Sequence, residues 1–174
     1  MNAQLYYKKE LLRNGLEVII RAARAEDAEH IVEAFKGLDD QSIYTRFFSF
    51  KKEITEAELQ RFREADYDKR VTLLCIIERD GREIVIASGS YVRESEDSAE
   101  VAFIVEEDYQ RHGISKCLLN HLREIAIAKG IKNFTAAVLP YNSAMLGVFK
   151  SCGWPMESRT SGGTVQIRLQ LERS

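Results

Sequence analysis

Between Tyr109 and Lys116 the chain carries groups suited to gripping an anion: Arg111, His112 and Lys116 beside Gly113, where a strand-like run gives way to a helical one. A strand that turns through a glycine straight into a helix leaves the amides of the first turn, about Arg111 to Lys116, without carbonyl partners. The helix macrodipole adds positive character there, and phosphate is the usual anion at such a terminus. The acidic run Glu106, Glu107, Asp108 just upstream opposes an anion, so backbone amides must do most of the gripping. A helix terminus contributes about 0.3 to 2 kcal/mol, whereas micromolar affinity needs about 8 kcal/mol. The turn orients a ligand that other surfaces hold. The same pattern also describes an ordinary helix start with one glycine.

The elements that must position this turn follow from periodicity. Glu100 to Val105 is β-branched and aromatic with apolar groups on both faces, a strand inside a sheet. Ile114, Leu118, Leu122 and Ile125, spaced four, four and three apart, predict an amphipathic helix that Gly130 ends. Residues 5 to 21 read as two strands joined by Asn14-Gly15, a hairpin signal because both residues tolerate positive φ. A first helix is expected over Ala25 to Leu38, an aromatic cluster at Tyr44, Phe47, Phe48 and Phe50, and a capped helix from Thr55 to about Phe62. Val71 to Ile77 and Ile84 to Val92 form a hairpin about Asp80-Gly81, and the polar turn 94 to 97 leads into the central strand. Asn133 to Leu139 is a further buried strand ended by Pro140. Ser143 to Ser151 is helical, and a last hairpin turns at Gly162-Gly163 into the period-two strand Val165 to Leu171. The expected fold is α/β (α+β): one domain over 1 to 174, with a mixed, mostly antiparallel sheet flanked by helices and one parallel crossover between the strands at 100 and 133. A single-glycine turn without GxGxxG argues against a dinucleotide fold.

Composition bounds the function. With 174 residues and 45% hydrophobic content the chain can bury a substantial core. A net charge of -2 gives no basic field for nucleic acid or an anionic membrane. No run approaches the roughly 20 apolar residues of a membrane helix, and the N-terminus lacks the apolar stretch of a signal peptide, so a cytoplasmic location is expected. Cys75, Cys117 and Cys152 are odd in number, widely spaced and set among apolar neighbours, which reads as buried free thiols. His30, His112 and His121 form no ligand cluster by spacing and no metal is expected; His121 reads as packing or surface.

These residues resemble the GNAT acyl-CoA-dependent N-acetyltransferases. Gln110-Arg111-His112-Gly113-Ile114-Ser115 resembles that family's pyrophosphate-cradling motif, Gln/Arg-x-x-Gly-x-Gly/Ala. LPYNSAMLGVFKSCGW, Leu139 to Trp154, resembles its second motif, in which an Asn begins a helix. Within the family the chain resembles the catalytic domain of bacterial Pat-type protein lysine acetyltransferases, through RAARAEDAEHI (21 to 31), SIYTRFFSF (42 to 50), Tyr67-Asp68, AEVAFIV (99 to 105) and LPYNSAML (139 to 146). In those proteins the domain is normally joined to an acyl-CoA synthetase-like or cyclic-nucleotide-binding region; regulation by such a region is expected to be absent here or supplied in trans.

The resemblance implies acetyl-CoA as acyl donor. It implies that backbone groups of Phe103, Ile104 and Val105 meet the pantetheine arm, that Gln110, Arg111, His112, Gly113, Ile114, Ser115 and Lys116 surround the pyrophosphate, and that Asn142 contacts the cofactor; as a preferred N-cap residue Asn142 also suits simple capping. A lysine acceptor with pKa about 10.4 is neutral only about once in 2,500 molecules at pH 7, so a base is needed, and Glu100 aligns with the family's glutamate. Alternation puts Glu100 on one strand face with Ala102 and Ile104, apolar neighbours that would favour a protonatable carboxylate. Many relatives place a Tyr seven residues after the motif Asn as general acid. Here that residue is Phe149, which cannot donate a proton and is expected to pack against the acyl end. Tyr141 is the substitute donor, or the thiol leaves as thiolate or with a water donor. Ser115, where Gly or Ala is usual, either crowds the pyrophosphate or donates to it. Apolar surroundings of Cys152 favour direct transfer over an acyl-cysteine. The leading expectation is acetylation of protein lysines, with an acyl-CoA synthetase as the type of partner. A small-molecule amine acceptor and a non-catalytic acyl-CoA-sensing module are the alternatives.

Overall fold

The computed structural model describes residues 2–27, 67–106, 109–110 and 112–172. Alternating side chains and glycine turns produce eight strands among these residues: β1 (Tyr7–Leu11), β2 (Glu17–Ala22), β3 (Arg70–Arg79), β4 (Arg82–Arg93), β5 (Ser98–Val105), β6 (Asn133–Val138), β7 (Met156–Ser161) and β8 (Thr164–Gln170). Two helices, α1 (Ile114–Ala128) and α2 (Ser143–Ser151), flank β6 in sequence. The strands form one sheet in the order β1-β2-β3-β4-β5-β6-β8-β7, antiparallel throughout except where β5 meets β6. The mixed sheet, its hairpins and its single parallel step are as expected. The bulk of the first helix expected from Ala25, the aromatic cluster at 44 to 50 and the helix at 55 to 62 lie outside the described residues.

Every residue of the helical spacing read from the sequence is buried: Ile114, Leu118, Leu122 and Ile125 are at most 2% exposed. They pack with β3, β4 and β5 into a large core that also takes Leu73, Tyr91, Val101 and Phe134. Burying one such aliphatic side chain is worth about 1.5 to 3 kcal/mol. On the opposite face Ile19, Ala23, Leu74, Ile76 and Val85 form a smaller cluster. The central strand is longer than the sequence suggests. It begins at Ser98, so Glu100 sits inside β5 and not at its first residue.

A buried ion pair fastens the end of β2. Arg21 donates from both terminal nitrogens to Asp27 at 2.8 Å and from one of them to Glu83 at 3.0 Å, and the Arg24 amide donates to Asp27 at 2.7 Å. The hydrogen bonds that Arg21 donates to Asp27 hold its proton more firmly than in water, against the opposing effect of burial. Tyr67 donates its hydroxyl to the Ala23 carbonyl, so the chain returns at Tyr67 to where it left at Ala23. Removing one partner of a buried pair strands the other charge. Asp27→Ala is expected to lower unfolding free energy by about 3 to 5 kcal/mol, measured by urea denaturation.

Candidate active site

Strand β5 pairs with β4 along Ala99–Val105, and β6 pairs with β8 along Asn133–Val138. The two strands meet only at Ser98–Asn133, Ala99–Phe134 and Glu100–Thr135. Past these three rungs they part. The gap is a cleft of about 660 Å³ with residues 100 to 105 on one wall, residues 136 to 138 on the other, and the first turns of α1 and α2 at its ends. Backbone amides and carbonyls along parted edges are polar groups in want of partners, so the cleft suits an elongated ligand with amides of its own. The N-cap of α1 is Gly113 at φ 79° and ψ 12°, with no side-chain cap and no acidic residue in the first turn. A Cβ there would meet nothing within 4 Å. The glycine is required by its left-handed backbone, which costs other residues about 1 to 2 kcal/mol, and the amides of the first turn, with neither a side-chain cap nor an acidic residue among them, are placed to receive an anion. These features fit an acyl-CoA: a diphosphate at the helix terminus and an amide-bearing arm along β5.

Of the residues singled out from sequence, the cleft gathers Glu100, Phe103, Ile104, Val105, Gln110, Gly113, Ile114, Ser115, Lys116, Asn142 and Phe149. Arg111 lies outside the described residues. His112 is exposed, stands edge-on to Tyr109 with ring centres 6.3 Å apart, and does not line the cleft. Several of the gathered groups also have structural work. Gln110 Nε2 donates to the Val105 carbonyl at 3.1 Å, which closes the turn onto the end of β5. Lys116 Nζ donates to the Ser151 carbonyl at 3.2 Å and so braces α1 against the last turn of α2. Asn142 Oδ1 accepts from the Met145 amide at 3.2 Å; the capping role is real, and its Nδ2 is a donor the cap does not use. Phe149 is only 2% exposed yet borders the cleft, and Tyr141 borders it at 56% exposure.

Glu100 is exposed, not enclosed by Ala102 and Ile104 as the alternation suggested, although both share its face and are half-buried. Ladder partners place Val92, Glu100, Thr135, Arg168 and Glu157 in one row across the sheet. Thr135 Oγ1 donates to Glu94 at 2.9 Å, which brings a second carboxylate to that row. Phe103 occupies the other face of β5. Its ring lies over Gly89, where an added Cβ would come within 2.9 Å of two ring atoms and 3.2 Å of Leu118 Cβ.

The three cysteines are free, with Cys75 buried and Cys117 and Cys152 half-buried. Burial pushes the Cys75 thiol up to about 12, while burial and then Glu10 push Cys117 up to about 11. Burial also raises Cys152 against the pull of Lys116 and Arg123, and its Sγ donates to the Val148 carbonyl at 3.3 Å. None is poised as a thiolate. Sequence reading missed Tyr109, Ala136, Ala137, Met145 and Val148 as cleft residues. The adjacent alanines amid bulkier strand residues were the available signal for a wall left open. It also missed that Glu10, Cys117 and His121 converge beside α1.

Residues 41–154 match the Acetyltransferase (GNAT) family. The fold superposes on the GNAT domain of S. lividans PAT with a TM-score of 0.86 and 30% identity, over 94% of this chain and 96% of that one. The chain is 31% identical to the acetyltransferase Pat of Mycolicibacterium smegmatis over 82% of its own length and 42% of Pat's. It is 29% identical to the acetyltransferase PA5475 of Pseudomonas aeruginosa over 78% of its own length and 74% of that protein's. The chain thus spans under half of the mycobacterial relative. Among the described residues no helix is long and apolar enough to cross a membrane.

Two measurements check this geometry. Gly89→Ala should cost about 1 to 3 kcal/mol through overpacking against Phe103, read in thermal unfolding. At pH 8 a thiol of pKa about 11 is ionised in about one molecule in a thousand, so reaction of the folded chain with an aromatic disulfide should be far slower than that of the urea-unfolded chain.

Proposed function

The chain belongs to the GNAT acetyltransferase family and uses acetyl-CoA as acyl donor; from that premise we propose that it acetylates lysine side chains of a protein, with Glu100 as general base. The acetyl-CoA thioester supplies the acyl group, and the residues of the chain hold it and manage the proton. The amides of Gly113 to Lys116 take the diphosphate and the backbone of Phe103 and Ile104 takes the pantetheine arm, with the Val105 carbonyl already engaged by Gln110. The Nδ2 group of Asn142 is the further donor toward this arm. The single observation that carries the reading is the position of Glu100: it holds the last rung before β5 and β6 part, on the wall of the cleft.

An acceptor amine that attacks the thioester carbonyl gives up a proton as the C–N bond forms and the C–S bond breaks. The Glu100 carboxylate receives that proton, and the sulfur leaves as thiolate or with a proton from water. Phe149 stands where a tyrosine would donate one. Tyr141, at the cleft's border, is the candidate hydroxyl to replace it. The raised Cys152 thiol favours direct transfer. Protein lysine as acceptor draws on the likeness to the two Pat proteins, and an acyl-CoA synthetase is the partner class proposed with it.

Glu100→Gln is expected to lower kcat by about 10²- to 10⁴-fold while calorimetry shows acetyl-CoA binding unchanged; full turnover would remove Glu100 from the mechanism. Gly113→Ala should act the other way, weakening coenzyme A binding about tenfold, the equivalent of roughly 1.4 kcal/mol, with little change in kcat at saturation. Cys152→Ala should leave kcat unchanged. A panel of acceptors followed by thiol release tests the substrate: release with protein lysines, including those of acyl-CoA synthetases, supports the proposal, and release with small amines alone overturns it.

A further inference from the structure

Away from the cleft, α1 carries Cys117 and His121 four residues apart and hence on one face. Opposite them stands Glu10 of β1. One ligand atom from each of Glu10, Cys117 and His121 lies within 4.8 Å of the others. His121 Nε2 is 2.7 Å from Glu10 Oε1. His121 Nδ1 is 2.5 Å from the Tyr6 hydroxyl, and that hydroxyl donates to Glu124 at 3.0 Å. Tyr6 has one hydroxyl proton. When Tyr6 donates that proton to Glu124, a hydrogen bond between Tyr6 and His121 needs its proton on Nδ1, which leaves the Nε2 lone pair directed at Glu10 unless a second proton or a cation takes it. This arrangement, a ligand imidazole whose far nitrogen is tied through hydrogen bonds to a carboxylate, is what metal-binding histidines use to fix tautomer and ring orientation.

We propose that Glu10, Cys117 and His121 form a binding site for a single zinc ion, with His121 bonding through Nε2 and Tyr6 and Glu124 as its supporting shell. Thiolate and imidazole together select zinc over magnesium or calcium. Zinc bonds of about 2.0 to 2.3 Å put tetrahedral ligand atoms about 3.3 to 3.6 Å apart. Glu10, with a side chain 40% exposed, retracts slightly from His121, and Cys117 turns inward by rotation about its Cα–Cβ bond. Carboxylate and thiolate together carry two negative charges, which zinc neutralises. The thiol proton and any proton held between His121 and Glu10 leave to solvent on binding, and the fourth position takes water. The ion would clip the opening hairpin to α1, the helix whose first turn closes the cleft. The site is separate from the acyl-CoA cleft and does not rest on the acceptor reading.

The test uses the full chain, reduced, stripped with chelator, and titrated with Zn²⁺ by calorimetry and with Co²⁺ by absorption. One ion per chain is expected, with a near-ultraviolet thiolate-to-cobalt band that Cys117→Ser abolishes. Tyr6→Phe should weaken binding about 10- to 100-fold, and Zn²⁺ should raise the unfolding temperature of the original chain but not of Glu10→Gln. Binding that survives unchanged in both Cys117→Ser and His121→Gln, or the absence of one-to-one binding, overturns the site. Should Cys117→Ser fail to fold, the Co²⁺ spectrum of the unaltered chain decides, because a spectrum without the thiolate band also overturns it.

Discussion

The site depends on a parallel strand pair that is allowed only three rungs. Strands β5 and β6 each have a full partner on the outer side, β4 and β8, so neither needs the other for its ladder. Had the pairing continued past Glu100 and Thr135, the sheet would be closed and the cleft would not exist. The opening exposes backbone polar groups in mid-sheet, a costly state for a protein without a ligand to meet them. Its two ends are helix N-termini, one at Gly113 and one at Asn142.

A gap in a sheet is useful only if its walls keep their spacing. Gln110 ties the anion turn to the last residue of β5, and Lys116 ties α1 to the end of α2. Phe103 lies against Gly89 of β4 and β5 also packs against α1, so β5 is held by both its neighbouring strand and the helix that follows it. The residues that frame the cleft are therefore the same ones that pack the core beneath it. Precision of about an ångström in a thioester's placement requires this sharing of roles.

Signals that act within a few residues were legible. The four-four-three spacing of α1, the Asn14-Gly15 and Asp80-Gly81 turns and the cap at Asn142 each depend on local chemistry and appear where expected. The turn through Gly113 into α1 was readable for the same reason. What was not legible arises from long-range placement. Nothing near β5 announces that its parallel neighbour will leave it after Thr135, since that depends on how β8 draws β6 away. The convergence of Glu10 with Cys117 and His121 joins residues more than a hundred positions apart, beyond the reach of any spacing rule. The resemblance supplied a role for Glu100, but its exposure depends on what covers that face.

At its two margins the described sheet ends in β1 and β7. Neither outer edge is paired among the described residues, and an open edge is the feature by which one chain can template another into fibres. Lys8 and Lys9 stand on β1, and Glu157 and Arg159 on β7, a strand exposed along nearly its whole length. Burying those charges against a second sheet edge would strip them of water, so the margins resist intermolecular stacking while the interior gap stays receptive to a small guest.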